Sequence, residues 1–165
     1  MSQNLPRIAI CGHGRSGKDT AARWLAEHTP LRLGKTTSEV IAPYRAAELG
    51  VSALEAFTRR HEERDLWYEL GNRLRANDWA RLVRETLRDG EICVGIRDPE
   101  ELAAARAEGL VDLVLWIDRD VKPDSTMKFG PERCDIIVQE PRNAWRVLQA
   151  AGGAGAVRGS FEEGG

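Results

Sequence analysis

Apolar residues fall into short unbroken runs separated by longer stretches of helical period. Arg7 to Cys11, Ile92 to Ile96, Leu113 to Ile117 and Cys134 to Val138 carry apolar runs too short for a helix. Such runs suit strands covered on both faces. Leu31-Arg32-Leu33 is a shorter candidate that brings the strand count to five. Between them the pattern turns helical. Ala21 to His28 follows the first run. Ser38 to Leu49 is next, with Pro43 arguing for a late start or a kink. Ser52 to His61 is marked by Ser52 as N-cap and Glu55 as its capping-box partner. Over Arg64 to Arg75, Leu66, Leu70 and Leu74 recur every four residues and predict one apolar face. Asn77 is positioned to cap a helix carrying Trp79, Leu82, Val83 and Leu87, which Asp89-Gly90 ends. Helices are also expected over Glu100 to Glu108 and Asn143 to Ala151, with a polar loop over 119–133.

Strands alternating with helices predict an α/β fold, a mainly parallel five-stranded sheet in a three-layer α/β/α arrangement. The 165 residues suit one domain, read as residues 1–152 with a flexible glycine-rich tail over 153–165. Hydrophobic residues at 42% and charged residues at 30% describe a chain with a real core. A formal net charge of −2 gives no nucleic-acid or polybasic membrane signature. No apolar run approaches a membrane span, and Met1 to Arg7 lacks a signal-peptide core, so the expectation is a cytoplasmic protein. Cys11, Cys93 and Cys134 sit in or beside apolar runs and read as reduced packing thiols.

One segment carries chemistry. Gly12 to Asp19 fits G-x-x-x-x-G-K, the Walker A pattern, between a strand and a helix. Glycines let the backbone wrap around phosphate oxygens, and the helix that follows adds its N-terminal dipole. Gly12, Gly14, Arg15, Ser16, Gly17, Lys18, Asp19 and Thr20 are therefore the expected ATP-binding residues, with Lys18 on the β- and γ-phosphates. Asp19 stands where a magnesium-binding hydroxyl is usual, and a carboxylate there can meet Mg2+ directly or through water. This motif makes the expected fold a P-loop NTPase fold. Asp118, at the end of an apolar run, reads either as a Walker B acid or as a turn residue.

The residues Gly14 to Thr20, Arg64…Leu66…Tyr68…Gly71-Asn72…Arg75 with Asn77-Asp78-Trp79, Val94-Gly95-Ile96-Arg97…Glu100/Glu101, and Leu115 to Arg119 with Cys134-Asp135 occur in a telling order. In that order the chain resembles the phage-type deoxynucleoside monophosphate kinases, within the wider nucleoside monophosphate kinase group. The resemblance implies transfer of the ATP γ-phosphoryl group to a deoxynucleoside monophosphate with Mg2+, giving ADP and a diphosphate for DNA precursors. Lys18, Arg97 and Arg119 would be catalytic, Arg97 gripping the acceptor phosphate and Arg119 opening a lid-like loop over 119–133. A helical insert over about 36–90 would bind the acceptor through Ser38, Tyr44, Arg45, Arg64, Tyr68, Asn72, Arg75 and Arg97. Asp19 and, more weakly, Asp98 would serve the metal. Tyr68 replaces a glutamine frequent in the family, so base preference stays open. Phage origin would place the protein in host cytoplasm; a homodimer is left open. Three alternatives also stay open: another small-molecule kinase of this fold, acting on dephospho-coenzyme A or a gluconate-like acid; a nucleotide-binding regulator without turnover; and a structural or assembly protein that keeps an inherited loop.

Overall fold

The computed structural model describes residues 5–149. The tail expected over 153–165 and the end of the last expected helix lie outside them. Four strands form one parallel sheet: β1 (Ile8–Cys11), β2 (Ile92–Val94), β3 (Leu113–Ile117) and β4 (Ile136–Val138), in the order β2-β1-β3-β4. β1 is central, with Ile8 opposite both Ile92 and Leu113. Successive residues face opposite sides, so Ile8 and Ile10 enter one apolar layer and Ala9 and Cys11 the other.

The first layer is closed by α1 (Lys18–His28) and α7 (Ala144–Leu148), through Ala21, Leu25, Ala144 and Leu148. The second is closed by α5 (Arg81–Thr86), α6 (Pro99–Ala107) and the 127–129 segment, through Val83, Leu102, Ala105, Met127 and Phe129. Helices thus cover both faces of the sheet. The remaining helices, α2 (Thr37–Leu49), α3 (Ala53–Thr58) and α4 (Arg64–Arg75), build a third apolar cluster with Leu82 of α5.

The sheet has four strands, not five. Only Leu33 bridges to Ile92. The Arg32 carbonyl accepts from both Glu91 and Ile92, and Gly34 donates to the Ile92 carbonyl at 2.9 Å. Gly34 then presses on the Thr86 carbonyl so closely that a Cβ there would lie 2.2 Å from it. The chain turns away at once, and pairing stops after one residue.

Local expectations shift in instructive ways. α2 begins at Thr37 because Thr36 and Glu39 form a reciprocal capping box, and it continues through Pro43, which is exposed. α3 is shorter than expected: Ser52 does accept from the Glu55 amide, but Glu55 turns its carboxylate to Arg59. The buried face of α4 is Trp67, Leu70 and Gly71, while Leu66 is exposed. A spacing of four drifts around a helix of 3.6 residues per turn, so the three leucines cannot share one narrow seam. α5 starts at Arg81 with no side-chain cap, so Asn77 does not cap it. No helix among the described residues is long and apolar enough to cross a membrane.

Candidate functional site

The loop between β1 and α1 is shaped by two backbone demands. Gly17 has φ 102°, and a Cβ there would lie 2.6 Å from Pro141 Cγ. Arg15 takes φ 64°, the one non-glycine residue with positive φ among the described residues. The result is an open row of donors. Among the described residues, the amides of Gly14, Arg15, Gly17, Lys18, Asp19 and Thr20 make no hydrogen bond to another backbone group. Ser16 is buried, and its hydroxyl has no partner among the described residues. Unclaimed amides at a helix N-terminus beside an unsatisfied buried hydroxyl form an anion cradle.

Lys18 completes it. Its Nζ donates to the carbonyls of Gly12 (2.8 Å) and His13 (3.1 Å), both in the loop. Burial, helped by the nearby Arg97 charge, pulls its pKa down to about 8, against the opposing pull of Asp124. Lys18, Arg97 and Asp124 therefore act on one small volume at the carboxyl edge of the sheet, where open α/β sheets take ligands. Arg97, just after β2, donates from Nη1 to Asp124 Oδ2 and to Thr126 Oγ1, both at 2.7 Å. Burial alone would raise the Asp124 carboxyl. The Thr126 hydroxyl and amide and the Arg97 guanidinium outweigh it and hold that carboxyl well below the usual range.

Beside the cradle lies a cavity of about 490 Å3 lined by Gly17, Thr20, Arg119, Glu140, Pro141, Arg142 and Asn143. Arg119 and Thr20 thus meet at one opening. The 140–143 wall had no signal in the sequence beyond Pro141, whose ring fills the space that Gly17 leaves. Asp19 is exposed in the first turn of α1, with no hydrogen bond or ion pair among the described residues. It fits Mg2+, which uses one or two protein carboxylates together with phosphate oxygens.

The expected acceptor residues divide. Arg64, Tyr68, Asn72 and Arg75 do lie along one side of α4, but Asn72 is exposed and only Arg75 of the four turns into the interior. Arg64 is exposed and Tyr68 half-buried. Arg75 is buried and ion-paired to Glu101 (2.8 Å) and Asp98 (3.3 Å), and its Nη2 donates to Asn72 Oδ1 at 2.6 Å. The Tyr68 hydroxyl donates to Asp98 Oδ1 at 3.4 Å. Burial pushes the Glu101 carboxyl up against the opposing pull of Arg75. Asp98, buried and spent on Arg75, is a poorer metal ligand than Asp19. Ser38 sits in the first turn of α2, half-buried. Tyr44 accepts from Arg81 and lines a separate cavity with Lys35, Glu39 and Arg88 that shares no residue with the glycine loop. Arg45 is held by Glu63 at 2.7 Å. Tyr44 and Arg45 are thus engaged by Arg81 and Glu63 within the helical insert.

Two side chains beside the loop escape a reading of the sequence. The His13 ring looks less useful than its backbone, yet its Nδ1 accepts the Asp124 amide at 3.0 Å and its edge meets Trp116. Asp124 itself lies in a polar loop; the Asp-Ser-Thr turn, where Thr126 bonds back to Asp124, is the only local signal. Comparison with protein-family models, with curated proteins and with solved structures finds no match.

Proposed function

We propose that the chain is an ATP-dependent phosphotransferase of the P-loop NTPase fold whose acceptor carries a phosphate, with a deoxynucleoside monophosphate as the preferred reading. One observation carries it: Asp124 ties the two sides together, its amide bonded to His13 in the Lys18 loop and its carboxylate to Arg97 just after β2, so a second cation stands beside the anion cradle. A cradle alone binds a nucleotide. A second cation facing it supplies what phosphoryl transfer needs, charge neutralisation between two phosphate groups.

In this reading the amides of residues 14–20 and Lys18 hold the ATP phosphates. The cavity beside Gly17 and Arg119 is large enough for the rest of the donor nucleotide. Asp19 would hold Mg2+, which supplies further neutralisation of the phosphate charge. Arg97 presents its unbonded edge to the acceptor phosphate, whose oxygen is already a nucleophile, so no general base is required. The polar side of α4, from Arg64 to Tyr68, faces the acceptor nucleoside. The 36–90 insert, which has its own apolar cluster, would carry that half of the cleft.

The test is ADP formation by the full-length chain with Mg-ATP and each of the four deoxynucleoside monophosphates. Acceptor-dependent ADP and the matching diphosphate support the assignment. Tight ATP binding without acceptor-dependent ADP identifies a nucleotide-binding regulator instead. ADP formed only with dephospho-coenzyme A or a sugar acid moves the acceptor to another class.

A further inference from the structure

Arg97 has the geometry of a part held in place from one side. Its Nη1 is shared by Asp124 Oδ2 and Thr126 Oγ1, while among the described residues its Nε and Nη2 make no hydrogen bond. Its carbonyl accepts from the Lys128 amide at 2.8 Å, so the main chain of Arg97 is tied to the same segment. About a third of the side chain stays exposed, 33%. One edge of the guanidinium fork is thus anchored and the other is open.

The anchor is itself built. Asp124 Oδ1 accepts from the Thr126 amide (2.9 Å) and hydroxyl (2.7 Å), which leaves Oδ2 for Arg97. The Asp124 amide donates to His13 Nδ1 in the glycine loop, and a Cβ placed on Gly14 would lie 3.2 Å from Asp124 Oδ2. His13 is in turn braced edge-on by Trp116 of β3, 5.4 Å between ring centroids. One acidic residue therefore touches both halves of the cleft: the donor loop through its amide, the acceptor-side arginine through its carboxylate.

We propose that Asp124 is a positioning residue that fixes the open edge of Arg97 in register with the Lys18 loop. The proposal rests on the phosphotransferase reading above. A guanidinium recognises phosphate as a planar fork, so its orientation matters as much as its charge. An arginine free to rotate must be ordered at each encounter, and small misplacements in such sites cost large factors in rate. A carboxylate bonded to Arg97 and favourable to the Lys18 charge also lets two cations coexist before any phosphate arrives.

The experiment combines kinetics with a spectroscopic reading of Arg97 itself. Asp124→Asn keeps the shape and removes the charge; Thr126→Val removes the second anchor and leaves the carboxylate. In steady-state assays with Mg-ATP and the best deoxynucleoside monophosphate, Asp124→Asn should raise the acceptor KM and lower kcat. The combined loss in kcat/KM should be about 10- to 100-fold. The ATP KM should stay within about twofold, and Thr126→Val should show the same pattern more weakly. Nitrogen-15 spectra of the arginine side chains, with Arg97 assigned by its loss in Arg97→Lys, give the second readout. In the ligand-free wild type its two Nη groups should be distinct because one is held; in Asp124→Asn they should average.

Averaged Arg97 signals in the wild type overturn the proposal, as do equal losses on both substrates. Tighter ATP binding or faster turnover in Asp124→Asn also overturns it, and would make the carboxylate a placeholder for phosphate. If the wild type turns over no acceptor, the phosphotransferase reading fails. The nitrogen-15 comparison still decides whether Asp124 holds Arg97.

Discussion

Lys18 is stored in a high-energy state, and replacing it with methionine should show how much. Its pKa falls from 10.5 to about 8, chiefly through burial. A depression of that size is about 3 kcal/mol of native-state destabilisation at neutral pH, where the lysine is charged in both states. Against this, Lys18→Met removes two hydrogen bonds, to the Gly12 and His13 carbonyls. These are worth roughly 1 kcal/mol each. The variant should therefore be more stable than the wild type by about 1 kcal/mol near pH 7. Because the folded pKa lies below the unfolded one, the unfolded chain binds more protons between about pH 8 and pH 10.5. Wild-type stability must rise relative to the variant across that window. The burial penalty shrinks to about 2 kcal/mol at pH 9 and about 1 at pH 10, so the order of stabilities reverses near pH 9. Urea unfolding of both proteins at these pH values measures the gap; with Cys11→Ala in both, because that thiol senses the Lys18 charge, taking the difference cancels the other cysteines and the tyrosines that titrate in the same range. The same variant should lose about 100-fold or more in phosphoryl transfer. A gap that does not change with pH would refute the burial argument. Full activity in Lys18→Met would refute the site.

Arg97→Lys keeps a charge and loses the fork, so acceptor affinity should fall about tenfold or more while ATP binding holds, as separate calorimetric titrations of each ligand will show. Gly17→Ala places a methyl against Pro141 in a backbone region costly for alanine; the melting temperature should drop by the equivalent of about 1–3 kcal/mol, with loss of ATP binding. Arg75→Met leaves Asp98 and Glu101 buried without their cation and should cost about 3–5 kcal/mol in urea unfolding. Adding Asp98→Asn and Glu101→Gln should recover part of that loss, and no recovery would mean the arginine acts through packing alone.

The sequence was most informative where chemistry is local. The glycine loop, the strands that flank it and the limits of α4 are readable because each depends on neighbouring residues. The Thr36…Glu39 capping box is equally local and starts α2 at Thr37, ahead of the late start that Pro43 suggests. What resisted reading depends on partners far along the chain. Arg75 looks like part of a solvent-facing stripe until Asp98 and Glu101 draw it inside. Leu31 to Leu33 has strand composition, yet the close approach of Gly34 to the Thr86 carbonyl limits it to one bridge. His13 and Asp124 are separated by most of the chain, and nothing in the spacing of either announces the bond between them.

The central place of β1 also orders events during synthesis. β1 leaves the ribosome ahead of both of its neighbours, which lie beyond residue 90. Its amides cannot be paired until β2 and then β3 have been made, and the closure of so long a loop is slow. The cluster formed by α2 to α5, by contrast, draws only on residues 40–82. Those helices can collapse while the glycine loop is still tethered to an unpaired strand. The anion cradle is therefore synthesised well before the strands that fix it, so any anion it holds can stabilise the nascent chain only after β3 has left the tunnel.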